Sequence, residues 1–223
     1  MGEQIISEVF RKSPDTAVAS YDYFDIAEGT GVQVFYGFAY TENLSTYLYA
    51  LGRSTAYSSL IETSFAGSAS PGGTVFDKDF DLQVFETPKK VGGTAEVTIC
   101  EAVVFAGTSG TDTQTLTIKL RKWDGTTETD IATKTLSFVL TFGVTIQKNV
   151  FVIRFAIPDT HFKKGETLRL SVIVTSDLDG TLTDTIYIGH DPENRDGTGI
   201  IPSTDDPRTI TNLLFHCPFK LGL

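Results

Sequence analysis

Apolar and polar residues alternate along much of this chain, and the alternation predicts β-strands. Between Leu116 and Arg121, apolar side chains take one set of alternate positions, and Thr, Lys and Arg take the other. Leu168–Val174 begins with the same period of two. A strand with this period packs one face against a core and turns the other face to solvent. These stretches are therefore expected in the sheets of a β-sandwich.

The stretch from Phe151 to Asp191 predicts how such strands are connected. A strand at Phe151–Ile157 is followed by a turn at Phe162–Glu166 and by strands at Thr167–Thr175 and Asp184–Gly189, with no helical pattern between them. Strands joined by tight turns pair antiparallel, and a series of them builds a sandwich. The predicted fold class is therefore all-β, an antiparallel, jelly-roll-like β-sandwich.

Strand-like runs follow one another after residue 20, so we predict a single β-sandwich domain over residues 21–223. A division of this domain near residues 87–94 is the alternative. Three longer connections interrupt the strands, at Ser64–Thr74, Gly107–Thr113 and Gly189–Thr209. The predicted strands are Tyr21–Ala27, Val32–Tyr40, Thr46–Leu51, Phe76–Glu86, Ala95–Ala106, Gln114–Trp123, Asp130–Leu140, Lys148–Ile157, Thr167–Thr175, Asp184–Gly189 and Ile210–Leu221.

The first twenty residues do not follow the strand pattern and are predicted to form an N-terminal arm, residues 1–20. Gln4–Lys12 is typical of one or two helical turns that end at Pro14. A helix this short is not stable on its own, so we expect the arm to lie on this subunit or on a neighbour. Met1–Lys12 lacks the basic and apolar regions of a secretory signal, so we expect no signal peptide at this position.

The connection Gly189–Thr209 contains the best candidate for a metal site. Asp191, Glu193, Asn194 and Asp196 place several hard oxygen ligands on one polar loop, as Ca²⁺ prefers. The spacing departs from the strict calcium-loop pattern because Arg195 stands among the ligands. A Ca²⁺ site and a plain acidic loop are therefore both open, and we expect no other cofactor.

The net charge limits the choice of partners. With a formal net charge of −10, the chain is a poor match for nucleic acid or for an anionic membrane surface, because both require clustered Lys and Arg. No apolar run is long enough to span a bilayer, which takes about 18 residues. We therefore expect neither a nucleic-acid nor a membrane partner.

The two cysteines, Cys100 and Cys217, each lie in an apolar run that resembles a strand. They are predicted to be buried small hydrophobic residues, and a disulfide between them is the alternative.

Catalytic motifs are not visible in the sequence. His161, His190 and His216 have no metal-site spacing, and no serine lies in a Gly-x-Ser-x-Gly turn. The paired carboxylates considered for sugar hydrolysis lie in polar turns, where solvated acids are routine. We therefore expect a protein that is not an enzyme. The carboxylates considered are Asp177, Asp179, Asp184, Asp191, Glu193, Asp196, Asp205 and Asp206.

Aromatic residues offer a different kind of site. Tyrosines are concentrated in the first quarter of the chain, and Trp123 stands next to the predicted hairpin turn Asp124-Gly125. Exposed rings of this kind bind sugars, whereas at a period of two many of the tyrosines would face a core or an interface. A carbohydrate- or receptor-binding module is therefore the alternative function.

Two stretches resemble known proteins. His161–Leu170 resembles a hairpin common in jelly-roll modules, including carbohydrate-binding modules and virion proteins. Leu214–Leu221 resembles the closing strand of small β-sandwich structural proteins on the particles of tailed viruses. The resemblance implies a decoration or cement protein bound to a capsid, often trimeric, with arms that reach neighbouring subunits.

The function expected from the sequence is therefore that of a non-enzymatic virion structural protein that decorates or stabilises a capsid. We expect a homo-oligomer, with a trimer favoured, whose partner is the major capsid protein or another virion protein. Its expected location is the virion, after assembly in the host cytoplasm. The segments expected to make contacts are Gln4–Lys12, Gly189–Thr209 and Leu213–Phe219.

Overall fold

A computed structural model describes residues 30–43, 46–53, 64–68, 73–105, 110–141, 146–178, 184–190 and 213–220. Every regular element in these ranges is a β-strand, which confirms the predicted all-β class. The strands are β1 (Thr30–Asn43), β2 (Thr46–Gly52), β3 (Ser64–Ser68), β4 (Gly73–Leu82), β5 (Lys89–Val104), β6 (Thr111–Trp123), β7 (Glu128–Thr141), β8 (Ile146–Phe162), β9 (Thr167–Leu178), β10 (Thr185–Gly189) and β11 (Leu213–Lys220).

The strands form one continuous sheet that curls around a single core. Its order is β3-β10-β5-β11-β1-β2-β4-β9-β6-β7, with β8 paired along the other side of β5. We call β8, β5, β11, β1 and β2 half A of the sheet, and β4, β9, β6 and β7 half B. Side chains from both halves meet in one buried apolar cluster, as in a sandwich.

One strand pair departs from the antiparallel prediction. β2 and β4 run parallel, with Tyr49 opposite Phe80 and Leu51 opposite Leu82. A parallel pair needs a crossover of about a dozen residues or more. Residues 53–72 supply that length between the two strands, and they include β3, which pairs with β10 at the far end of the sheet. The sheet is therefore mixed, and this parallel pair joins half A to half B.

The same segment corrects a second prediction. Ser64–Thr74 was expected to be a connection because it is rich in Gly, Ser and Ala. Residues 64–68 instead form β3, whose backbone pairs with β10 from Ser64 opposite Gly189 to Ser68 opposite Thr185. Pairing with a neighbouring strand has overridden a weak local preference.

The core follows the predicted alternation. On β6, Leu116, Ile118 and Leu120 are fully buried, and Val172 of β9 lies opposite Ile118. Each such side chain contributes about 1.5–3 kcal/mol when it is removed from water. Because the residues between them remain outside, these two strands also provide much of the outer surface of half B.

The predicted turn at Asp124-Gly125 joins β6 to β7. The carboxylate Oδ1 of Asp124 accepts hydrogen bonds from the backbone N of Thr126 at 2.8 Å and of Thr127 at 2.7 Å. Gly125 has a φ of 97°, a left-handed conformation that favours glycine. The turn chemistry read from the sequence is therefore confirmed.

Candidate functional site: a polar cluster inside and a neutral face outside

A group of polar side chains lies inside the sheet at one end. Glu101 of β5, Asp112 and Gln114 of β6, and Ser176 of β9 are all buried, and Asn149 of β8 lies beside them. Residues 101, 112 and 114 continue the inward positions of Ile99 and Leu116, where the alternation calls for apolar residues. We call these five residues the polar cluster.

Hydrogen bonds connect most of the polar cluster. Both oxygens of Asp112 accept a hydrogen bond, from Gln114 Nε2 at 2.5 Å and from Ser176 Oγ at 2.7 Å. Asn149 Nδ2 donates to Glu101 Oε2 at 3.1 Å. Glu101 Oε1 and Gln114 Oε1 are buried without a hydrogen-bond partner among the described residues. The cluster therefore has two acceptor oxygens that these neighbours do not satisfy.

The environment of Glu101 changes its acidity. Burial raises the pKa of Glu101 to about 7, the hydrogen bond from Asn149 lowers it, and the charge of Asp112 raises it further. The protonated carboxyl is favoured because its charged form would lose hydration in the interior. At neutral pH Glu101 is therefore divided between its protonated and ionised forms.

A carboxyl group with this pKa is chemically useful in principle. A general acid or base works best when its pKa lies near the working pH, and a second carboxyl beside it is a recurrent arrangement in hydrolytic sites. The side chain of Glu101 is only 1% exposed. A substrate would reach it only after this end of the sheet opens.

His190, directly after β10, is a second buried titratable group. Its ring packs against Tyr49 at 5.5 Å and against Phe80 at 6.1 Å between ring centroids. Burial lowers the pKa of His190 to about 3. It is therefore neutral over the physiological range, and its side chain is fully buried.

The outer face of half A is apolar and exposed. In one row across four strands, Val152 lies opposite Thr98, Thr98 opposite Leu214, and Leu214 opposite Tyr36. Val152 is 58% exposed and its neighbour Val150 is 63% exposed. Val32 and Val34 on β1 are also exposed.

The next row holds the charged residues of this face. Arg154 Nε forms an ion pair with Glu96 Oε2 at 2.5 Å, and His216 and Val34 continue the row across β11 and β1. We call the two rows, with Val32 and Val150, the neutral face, since its formal charges are one positive and one negative. Its ten residues are Val32, Val34, Tyr36, Glu96, Thr98, Val150, Val152, Arg154, Leu214 and His216.

The outer face of half B has the opposite character. Arg169 binds both carboxylate oxygens of Asp81, at 2.6 and 2.8 Å, and reaches Glu128 at 2.8 Å. Arg121 binds Glu128 at 2.8 Å and Asp130 at 2.9 Å. We call these five residues the ion network. Because its acids and bases bind one another, it presents few uncommitted charges.

The ion network extends to two neighbouring residues. A hydrogen bond from Lys119 holds the pKa of Asp130 below its usual value. The Arg169 guanidinium lies over the ring of Trp123, with 4.9 Å between its central carbon and the ring centroid. Trp123 itself is half-buried.

The candidate calcium ligands Asp191, Glu193, Asn194 and Asp196 lie outside the described residues, and so does the arm of residues 1–20. Within the described ranges, no three or more His, Cys, Asp or Glu side chains come together as metal ligands would. The same ranges hold no helix long and apolar enough to cross a membrane.

Cys100 and Cys217 are both buried and are not joined by a disulfide, which confirms the prediction of buried small residues. Burial raises the pKa of the Cys217 thiol, so it remains protonated. Cys217 lies in β11, within the predicted contact segment Leu213–Phe219.

Sequence reasoning missed the polar cluster. Its signal was the placement of Glu101, Asp112 and Gln114 at inward positions of otherwise regular strands. Glu101 and Asp112 belong to different halves of the sheet, so the sequence pattern alone could not bring them together.

Comparisons with known proteins give neighbours of the fold alone. No protein-family model matches the chain, and no curated protein matches it. A CocE/NonD family hydrolase from Staphylococcus aureus is 14% identical, with a TM-score of 0.47. An aminopeptidase from a marine sediment archaeon, Thaumarchaeota archaeon, is 10% identical, with a TM-score of 0.47. The VP2 subviral particle of infectious bursal disease virus is 12% identical, with a TM-score of 0.31.

These matches cover 86%, 85% and 85% of this chain, in the same order, and the chain spans 37% of each of the three proteins. At such identities the likeness concerns the β fold and transfers no catalytic residue, substrate or partner.

The comparisons also correct one expectation. We expected a protein that is not an enzyme, but hydrolases, among them an α-amino acid ester hydrolase, and an aminopeptidase stand among the similar structures, and that expectation was wrong. It was drawn from the absence of local motifs. A search for motifs does not detect side chains that interact only in the folded chain, as the charge of Asp112 does with Glu101.

Proposed function

We propose that this chain is a virion structural protein that decorates or stabilises a capsid, as a homo-oligomer located in the virion. The observation that carries the proposal is the neutral face. Val150 and Val152 of β8 expose more than half of their surface. Contiguous exposed apolar surface on a soluble protein marks a contact surface.

The charge distribution favours a protein as the partner. A chain of net charge −10 repels phosphate backbones and anionic headgroups, and the neutral face carries no net positive charge to attract them. Two sheet faces pack well at about 10 Å when both are apolar. The partners that fit are the major capsid protein, another virion protein, or further copies of this chain.

Purified particles of the virus that encodes the chain provide the test. Mass spectrometry is expected to find the chain in many copies per particle. Particles assembled without it are expected to release their contents at a lower temperature, and adding the purified chain is expected to restore the original temperature. Absence of the chain from purified particles would overturn the proposal.

A hydrolytic enzyme is the second candidate function, favoured by the raised pKa of Glu101 beside Asp112. The purified chain would be assayed with chromogenic esters, amides and glycosides. If the chain is a hydrolase, the wild type is expected to turn over one of these substrates. Glu101→Gln is expected to abolish the turnover while the variant still unfolds cooperatively. Absence of turnover, or equal turnover by the wild type and Glu101→Gln, would rule out this hydrolytic function.

A further inference from the structure

We propose that the neutral face packs against the same face of a second copy of this chain, in a dimer with two-fold symmetry. The proposal rests on the structural role proposed above and specifies which molecule covers the neutral face. An isologous contact of this kind yields a dimer, whereas the resemblance found in the sequence implies a trimer.

Charge is the first reason that the occupant is a second copy. Two chains of net charge −10 repel each other over most of their surfaces. A contact between them is least costly where the surface carries no net charge. Arg154 and Glu96 cancel each other within the neutral face, and its other eight residues carry no formal charge.

The arrangement of Arg154 and Glu96 also suits a two-fold axis. In an isologous interface, a residue that contacts a second residue across the axis is matched by the reverse contact. The Arg154 side chain is 72% exposed and that of Glu96 is 25% exposed. An axis near this pair lets each Arg154 reach Glu96 of the other copy without losing the ion pair within its own chain.

The apolar row supplies the attraction. The row Val152–Thr98–Leu214–Tyr36 crosses four hydrogen-bonded strands, so strand pairing fixes the order of its side chains. Each Å² of apolar surface that the contact removes from water contributes about 25 cal/mol to the free energy of association. The β-branched Val152 at one end of the row loses little side-chain freedom when it is covered.

The size of the face sets the expected strength. Four strands at about 4.8 Å and side chains over about 20 Å of strand give a patch on the order of 400 Å² per copy. A standard stable interface buries about 800 Å² per partner. The dimer is therefore expected to be weak in solution and to persist in a shell, where many copies are held at high local concentration.

Sedimentation equilibrium of the purified full chain, from about 1 µM to about 1 mM, is the test, since this range brackets a weak complex. The wild type is expected to pass from monomer to dimer. Val152→Asp places a charge at the most exposed end of the row and is expected to remain monomeric. The matched control is Val139→Asp on β7, because Val139 is 61% exposed but lies outside the neutral face. The control is expected to dimerise like the wild type.

The ion pair provides a second set of variants that does not depend on burying a charge. Arg154→Glu is expected to weaken the dimer at least tenfold, because it places like charges together on both copies. The exchange Arg154→Glu with Glu96→Arg is expected to restore it. Circular dichroism melting of each variant verifies that it is folded.

The outcomes separate this inference from the proposed function. A wild type that stays monomeric at about 1 mM, a trimeric mass, or a dimer unaffected by Val152→Asp overturns the two-fold contact, even when the chain is present in virions. Dimerisation by a chain that is absent from virions overturns the proposed function and leaves the contact standing.

Discussion

At the scale of single residues, two buried groups couple the stability of the fold to pH in opposite directions. The pKa of Glu101 is raised from 4.5 to about 7, so its contribution is full below pH 4.5 and is lost as pH rises through 7. The pKa of His190 is lowered from 6.5 to about 3, so its contribution is present above pH 6.5 and is lost as pH falls towards 3. Between pH 4.5 and 6.5 the two effects offset each other.

Glu101→Gln is expected to remove one side of this balance. The pKa shift of Glu101 corresponds to about 3 kcal/mol of unfolding free energy. The variant is therefore expected to be more stable than the wild type by up to about 3 kcal/mol at pH 8. At pH 4 the two proteins are expected to be nearly equal in stability. Urea unfolding at both pH values measures the difference. An equal change in the free energy of unfolding at pH 4 and pH 8 would contradict the assignment of Glu101.

At the scale of elements, close strand packing depends on small residues at particular positions. A Cβ atom at Gly37 of β1 would collide with the side chain of Leu213 of β11, a residue that is fully buried. On half B, the ion network joins β4, β9, β6 and β7 across their outer surface. The two halves therefore hold their strands together by different means.

Gly37→Ala is expected to lower the free energy of unfolding by about 1–3 kcal/mol, because the new Cβ forces the fully buried Leu213 side chain to shift. Chemical denaturation measures the loss. Val139→Ala, at an exposed position on β7, is the control and is expected to change stability by less than about 0.5 kcal/mol. Equal stability of Gly37→Ala and the wild type would show that β11 shifts without cost.

Trp123 reports on the ion network, since it is the single tryptophan of the chain and Arg169 lies over its ring. Arg169→Ala is expected to expose the ring, to shift its fluorescence to longer wavelength and to lower the melting temperature, because Asp81 and Glu128 lose their shared cation. Arg154→Ala, on the opposite half, is the control and is expected to leave the fluorescence unchanged. An unshifted spectrum of Arg169→Ala would contradict the stacked arrangement.

At the scale of the whole molecule, the two outer faces have different chemistry and are expected to have different roles. The ion network completes its own interactions within one chain, whereas the neutral face leaves apolar surface exposed. The protein is therefore expected to contact its partners through half A. The predicted arm of residues 1–20 is expected to add contacts of its own.

Deletion of residues 1–20 is expected to weaken binding to particles while the sandwich still melts cooperatively. Co-sedimentation with particles that lack the chain measures the binding, and calorimetry measures the melting. The full chain carrying Val139→Asp is the control for a change remote from the neutral face. Binding that is unchanged by the deletion would show that residues 1–20 do not contribute to particle binding.

The sequence by itself determined the local structure, because strand periodicity and turn chemistry are local properties. The alternation in Leu116–Leu120 placed those side chains in the core, and Asp124-Gly125 marked a hairpin that the structure contains. The resemblance at His161–Leu170 coincides with the turn between β8 and β9. The all-β fold class could therefore be predicted from the sequence.

Only the tertiary structure decided which strands are neighbours. Arg169 and Asp81, 88 positions apart, bind each other because β9 pairs with β4. The polar cluster and the neutral face each draw on strands that are distant in sequence. A period of two specifies which side chains share a face of one strand, but it carries no information about which strand lies beside it. Strand order depends on how the whole chain buries its apolar surface at once.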